Sequence, residues 1–188
     1  VPLFVRLRGT EAFGVFSLIA VVGNVNAFAN LGLNASLVRS LSEKGHAADA
    51  DLDIAVTFFM LLCFMAPLTV VAFFFEEPAL RSLLSVPPAF MEDARRLYRS
   101  MLISNVLVLL GGTCTAVLDA RERVHVTNVL QIIYSVSYWG LILVVLLLGW
   151  PLAALGAATV AAPLLWFIAA VIGMRKASSA RPARIQAV

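Results

Sequence analysis

Long stretches of this chain carry no charged residue. No Asp, Glu, Lys or Arg occurs between Glu11 and Arg39, between Asp53 and Glu76, between Arg99 and Asp119, or from Val126 to Met174. About 20 apolar residues cross the hydrocarbon core of a bilayer as a helix, so each window is long enough to span it. The last window is too long for one crossing. It breaks at Gly149-Trp150-Pro151, where Gly ends one helix and Pro opens the next, and Trp150 suits a headgroup-level anchor. The spans are therefore expected at roughly 12–33, 54–75, 99–118, 126–148 and 152–174. This predicts an all-α fold, a polytopic transmembrane helix bundle of about five spans. Composition agrees: 13% of residues are charged, against about 25% in soluble domains.

The ends and joints of these spans carry local signals. Thr10 is a suitable N-cap for the first span, with Glu11 near the positive end of its dipole. Pro67 predicts a kink in the second. The connector 76–98 mixes apolar and basic residues and reads as a surface-lying amphipathic stretch broken at Pro87 and Pro88. The tail 175–188, "RKASSARPARIQAV", reads as a basic linker following a partial transmembrane lobe at 1–174. The opening "VPLFVRLRG" reads as the tail of a helix that begins earlier, so the chain is expected to be a piece of something longer. It shows no signal-peptide pattern. Cys63 and Cys114 both fall within apolar runs, which fits packing residues better than a disulfide or a metal site.

The net charge of +3 points to topology rather than nucleic-acid binding, because the basic residues lie outside the apolar runs. Alternating connectors put Arg39, Lys44, Arg121, Arg123, Arg175, Lys176, Arg181 and Arg184 on one side. Arg6, Arg8, Arg81, Arg95, Arg96 and Arg99 fall on the other. The richer side contains the tail, which is thereby expected in the cytoplasm.

Polar residues inside the spans fall at helical spacing. On the first, Asn26 and Asn30 share a stripe with Gly23, Asn24 flanks it, and Asn34 continues it. On the third, Ser104, Gly111 and Thr115 align, with Asn105 and Gly112 beside them. On the fourth, Asn128, Gln131, Ser135 and Tyr138 recur at i, i+3, i+7 and i+10, with Tyr134 adjacent. Two readings account for such stripes. They are glue between packed helices, each hydrogen bond worth about 0.6–2 kcal/mol, or they line a shared hydrated cavity in which desolvation costs little. A lining of amides, hydroxyls and tyrosines both donates and accepts, which suits hydroxyl-rich ligands. No carboxylate, Lys or Arg lies mid-span. No paired acids, nucleophile with a base, phosphate loop or metal spacing is visible, so neither an enzyme active site nor a cofactor is expected.

At "LRGTEAFGVFSL" and "LGLNASLVRSLSEKG" the chain resembles the polysaccharide biosynthesis protein family, the oligosaccharide flippases of the multidrug/oligosaccharidyl-lipid/polysaccharide exporter superfamily. Gly9, Glu11, Phe13 and Gly14 match that family's first connector. Leu31, Gly32, Leu33, Ala35 and Arg39 match the end of its second helix, and Asn128 in "AVLDARERVHVTNVLQII" matches an Asn opening its fifth. The resemblance implies two six-helix lobes around a central cavity, with the five spans as helices two to six of the N-terminal lobe. It also implies a multi-pass protein of the bacterial inner membrane that flips undecaprenyl-diphosphate-linked glycans. Its partners would be membrane lipids and a C-terminal lobe, with no nucleic acid. Arg39 or Arg121 could meet the diphosphate; each also fits a plain topology-setting charge. Two alternatives stay open: a cation-coupled multidrug exporter of the same superfamily, and a non-transporting scaffold for polysaccharide assembly.

Overall fold

The computed structural model describes residues 2–23, 32–44 and 48–179, and among these it is helical, with no strand. Six main helices run in order: α1 Pro2–Gly23, α2 Leu33–Lys44, α3 Ala48–Phe74, α4 Met91–Ala120, α5 Val124–Leu147 and α6 Leu152–Ser179. Among the described residues, four helical stretches are long and apolar enough to cross a membrane: Asp51–Phe74, Pro88–Ala120, Val124–Leu147 and Ala153–Ala177. Of the expected first span, 12–33, residues 12–23 belong to α1, 24–31 lie outside the described residues, and Leu33 already opens α2.

The element α1 is two helices joined at Gly9, whose φ of 83° and ψ of 167° are not helical. A positive φ there is open to Gly and strained for other residues. Phe4 lies with its ring centroid 5.4 Å from Phe13 and 5.3 Å from Phe16. On one straight helix residues 4 and 16 would stand about 18 Å apart, so limb 2–8 folds back on limb 10–23. Residues 2–8 thus form a helical limb ending at Gly9.

Gly149 acts in the same way at the break between α5 and α6. Its φ is 70°, its N–H donates to Leu146 O at 3.2 Å and Trp150 N–H donates to Val145 O at 3.2 Å. That is a Schellman cap, which satisfies carbonyls the helix end leaves open. The turn from α4 to α5 uses the same pair of bonds, Glu122 N–H to Asp119 O and Arg123 N–H to Leu118 O. Here the left-handed position is held by Glu122, with φ 58°. A side chain in that conformation costs on the order of 1 kcal/mol. Glu122→Gly is therefore expected to stabilise the turn by about 0.5 kcal/mol after the extra freedom of unfolded Gly is counted. Thermal melting in detergent checks this: Tm should rise by roughly 1–2 °C.

Three boundaries differ from expectation, each for a tertiary reason. Residues 34–53, read as a connector, are largely helical. Leu37 and Leu41 of α2 are buried against Ala116 and Val117 of α4, while Arg39 and Glu43 face out. The following helix starts at Ala48, ahead of 54, and Ser40 Oγ donates to Asp53 Oδ2 at 2.6 Å across the joint. The stretch 76–98 does break at Pro87 and Pro88, but it does not lie on the surface throughout. Leu80 and Val86 enter the core, and from Met91 onward the chain is already α4, with Ala94, Leu97 and Tyr98 buried. The last helix continues to Ser179, past the expected start of the tail at 175, and Ala177 is buried.

The helix α4 is the centre of the bundle. Within the span windows 67% of its residues are buried, against 11% in α3 and 17% in α5. Its closest neighbour is α6, and α1, α2, α3 and α5 also pack on it. The close fit of α4 on α6 depends on small residues. A Cβ added at Gly111 would collide with the ring of Trp166, and one at Gly156 would meet Ser100 Oγ at 2.6 Å. Small residues at helix contacts are how membrane bundles gain packing without a hydrophobic drive between helices.

Candidate functional site

The polar residues singled out from sequence end up in different surroundings. Asn24, Asn26 and Asn30 lie outside the described residues. Ser104, Asn105 and Thr115 are buried along α4. Thr115 Oγ1 donates back to Gly112 O at 2.9 Å, which satisfies its hydroxyl within its own helix. Asn105 borders a cleft of about 220 Å³ between α3 and α4, with Thr69 and Tyr98 also on its wall.

Asn34 sits in the first turn of α2 and reaches the C-terminal half of α4. Thr113 Oγ1, fully buried, donates to Asn34 Oδ1 at 3.2 Å. The Asn34 amide nitrogen lies over Gly112, where a Cβ would stand 3.2 Å from it. The pair Gly111-Gly112 therefore does two jobs, admitting Trp166 on one side and Asn34 on the other. Thr113 was not singled out from sequence; the Gly-Gly-Thr run was the available signal, since adjacent small residues in a span mark close approach.

On α5 the arrangement is opposite. Asn128, Gln131 and Ser135 are exposed. Tyr134 and Tyr138 are half-buried, their rings 5.9 Å apart, and Tyr134 lies 5.2 Å from the Trp166 ring of α6. Tyr134 fastens α5 to α6 through Trp166, the half-buried Tyr138 closes one end of the stripe, and Asn128, Gln131 and Ser135 are left open. Uncovered amides in hydrocarbon are costly, so this face calls for water or for a polar partner.

Both arginines considered for a diphosphate have protein partners. Arg39 Nε donates to Glu43 Oε1 at 2.9 Å on the exposed side of α2. Arg121 Nη1 donates to Ala177 O at 2.8 Å, tying the α4–α5 turn to the last turn of α6. A surface pair such as Arg39–Glu43 contributes under about 1 kcal/mol, so the Arg39 guanidinium is readily exchanged to another anion. The Arg121 bond complements the negative end of the α6 dipole.

One polar assembly was not foreseen. Glu76, two residues past the end of α3, is buried, and two arginines one turn apart on α4 close on it. Arg99 Nε donates to Glu76 Oε2 at 2.7 Å and its Nη2 to Oε1 at 3.3 Å. Arg95 Nε lies 2.9 Å from Oε1. The Arg99 guanidinium also covers the Phe73 ring at 5.2 Å, and Tyr98 OH donates to Ala72 O at 3.1 Å. A buried carboxylate is tolerated only when paired in this way. The network pins the end of α3 to α4. Its sequence signal was weak: an acid at a span end, and two Arg at i and i+4 beyond a Pro-Pro break.

Comparison with family models, with curated proteins and with solved structures finds no match for this chain.

Proposed function

We propose that this membrane-embedded bundle is part of a transporter that flips a lipid-linked oligosaccharide for cell-surface polysaccharide synthesis. The observation that carries the reading is the open stripe Asn128, Gln131 and Ser135 on a helix apolar and long enough to span the bilayer. A sugar headgroup cannot cross hydrocarbon unaided. A face of amides and hydroxyls supplies the donors and acceptors that sugar hydroxyls need, and it would be completed by a second lobe rocking against this one. The family resemblance at Gly9–Gly14 and Leu31–Arg39 points the same way. In this reading the protein is not an enzyme, and it sits in the bacterial inner membrane. The α4–α5 turn and the end of α6 are cytoplasmic, and Arg39 exchanges Glu43 for the diphosphate. No carboxylate stands mid-span in the charge-free windows, so a coupling cation, as a drug exporter of the superfamily would need, has no acidic partner in this part of the chain.

The buried Asn34–Thr113 bond favours a second reading for α4 alone, in which its polar groups serve as helix glue. A scaffold would use the α5 stripe in the same way, against a partner helix. The test is Asn128→Leu, Gln131→Leu and Ser135→Ala together, in the full-length protein of a polysaccharide-producing cell. Surface polysaccharide should fall at least 10-fold, with membrane abundance retained and lipid-linked precursor accumulating. Unchanged export removes the transporter reading. Lost abundance, with export per molecule unchanged, assigns the stripe to glue.

A further inference from the structure

A groove of about 510 Å³ runs between α1 and α5, within the range of about 300–1,000 Å³ common for ligand sites. The fold-back at Gly9 builds one wall: Phe4 comes from limb 2–8, and Phe13 and Phe16 from limb 10–23. Trp139, Ile142 and Leu146 of α5 build the other. The Phe4 and Phe13 rings meet edge to face at 66°, which makes that wall stiff.

The α5 wall continues the open polar stripe. At 3.6 residues per turn, Asn128, Gln131, Ser135, Trp139, Ile142 and Leu146 fall within an arc of about 80°. One face of one helix thus passes from amides and a hydroxyl to an indole and aliphatic side chains. The apolar half opens into the groove. A molecule with a polar head and a long hydrocarbon chain matches both halves at once. Resting on the transporter reading above, we infer that the α1–α5 groove holds the polyprenyl tail of the lipid-linked sugar while its headgroup lies along Asn128, Gln131 and Ser135.

A bulk phospholipid fits this arrangement less well. Its headgroup stays at the bilayer surface, whereas Ser135 lies about 16 Å along the helix from Val124. Only a lipid whose head is drawn down the polar stripe meets Ser135 with its headgroup while its chain lies beside Trp139. Head contact then raises the effective concentration of the chain at the groove. The groove gives the chain a protein surface to follow as the head moves.

The test uses the full-length protein in its native membrane, carrying a photo-crosslinking amino acid at Leu143 on the groove wall or at exposed Leu165 on α6. Cells are fed a radiolabelled isoprenoid precursor. The Leu143 site should capture labelled polyprenyl lipid at least 10-fold over Leu165, and Ser17→Trp, which fills the groove, should abolish the excess. Equal capture at the two sites, or phospholipid alone at both, overturns the groove assignment. The two readings fail separately. Loss of export in the α5 stripe variant without polyprenyl capture at Leu143 sinks only the groove, whereas normal export in that variant sinks the transporter reading itself.

Discussion

Replacing Arg95 and Arg99 together by Met is expected to lower the melting temperature in detergent by roughly 6–12 °C. The two side chains hold the Glu76 carboxylate, which is almost wholly removed from solvent. Stripped of both, Glu76 is a buried charge without compensation, at a cost of about 3 kcal/mol. This is the lower end for such a loss, because half of the Arg99 side chain, 49%, reaches the surface and water can enter as it leaves. Adding Glu76→Met to the double variant should recover most of the fall, since an ion pair exchanged for apolar groups of similar volume is often neutral. If the triple variant melts no higher than the double, the arginines act through their stems and not through the carboxylate. The consequence reaches the fold as well: α3 has little burial of its own, so its end depends on this network and on the Tyr98 bond to Ala72.

The second large effect concerns Gly111. Ala at this position is expected to cost about 1–3 kcal/mol, the range for overpacking a tight core, and Leu more, because it would part α4 from α6. The obstacle is the buried Trp166 ring, itself backed by Tyr134, so the ring has no easy retreat. The contrast is Gly140 on α5, where a Cβ would meet nothing within 4 Å. There the same Gly→Ala change should stabilise by about 0.5–1 kcal/mol through helix propensity. On a Trp166→Ala background the cost of Gly111→Ala should shrink below about 1 kcal/mol, a coupling that thermal melts of the four proteins measure directly. Equal effects at Gly111 and Gly140 would mean that α4 and α6 do not meet as described.

Much of the fold is legible in the chain because hydrocarbon thickness sets a hard length scale and charges mark where each crossing stops. The break at Gly149-Trp150-Pro151 is legible for a local reason, since the left-handed cap needs a Gly and Pro151 cannot continue a helix. The true start of α4 is not. Glu92, Arg95 and Arg96 make residues 91–98 read as part of a surface-lying amphipathic connector, although Ala94, Leu97 and Tyr98 are buried in the bundle. Only the presence of Glu76 on a neighbouring element explains why arginines stand so far along that helix.

The same division runs through the candidate site. Helical spacing alone showed that Ser104, Asn105 and Thr115 belong together on α4, and that Asn128, Gln131 and Ser135 belong together on α5. It could not show that the first set is buried and the second open. A stripe of amides and hydroxyls carries the same chemistry whether it meets a helix or water. Its surroundings depend on which other element approaches it, and that is a long-range choice. The amino-acid sequence by itself determined an all-helical bundle, the places of the four long apolar helices and the faces on which polar groups lie, because spacing, charge and turn chemistry act locally. The tertiary structure alone decided that Trp166 seats on Gly111, that two arginines close on Glu76, and that the fold-back at Gly9 opens a groove beside α5. Each of these joins residues far apart in the chain, and packing chooses such partners only when whole helices dock.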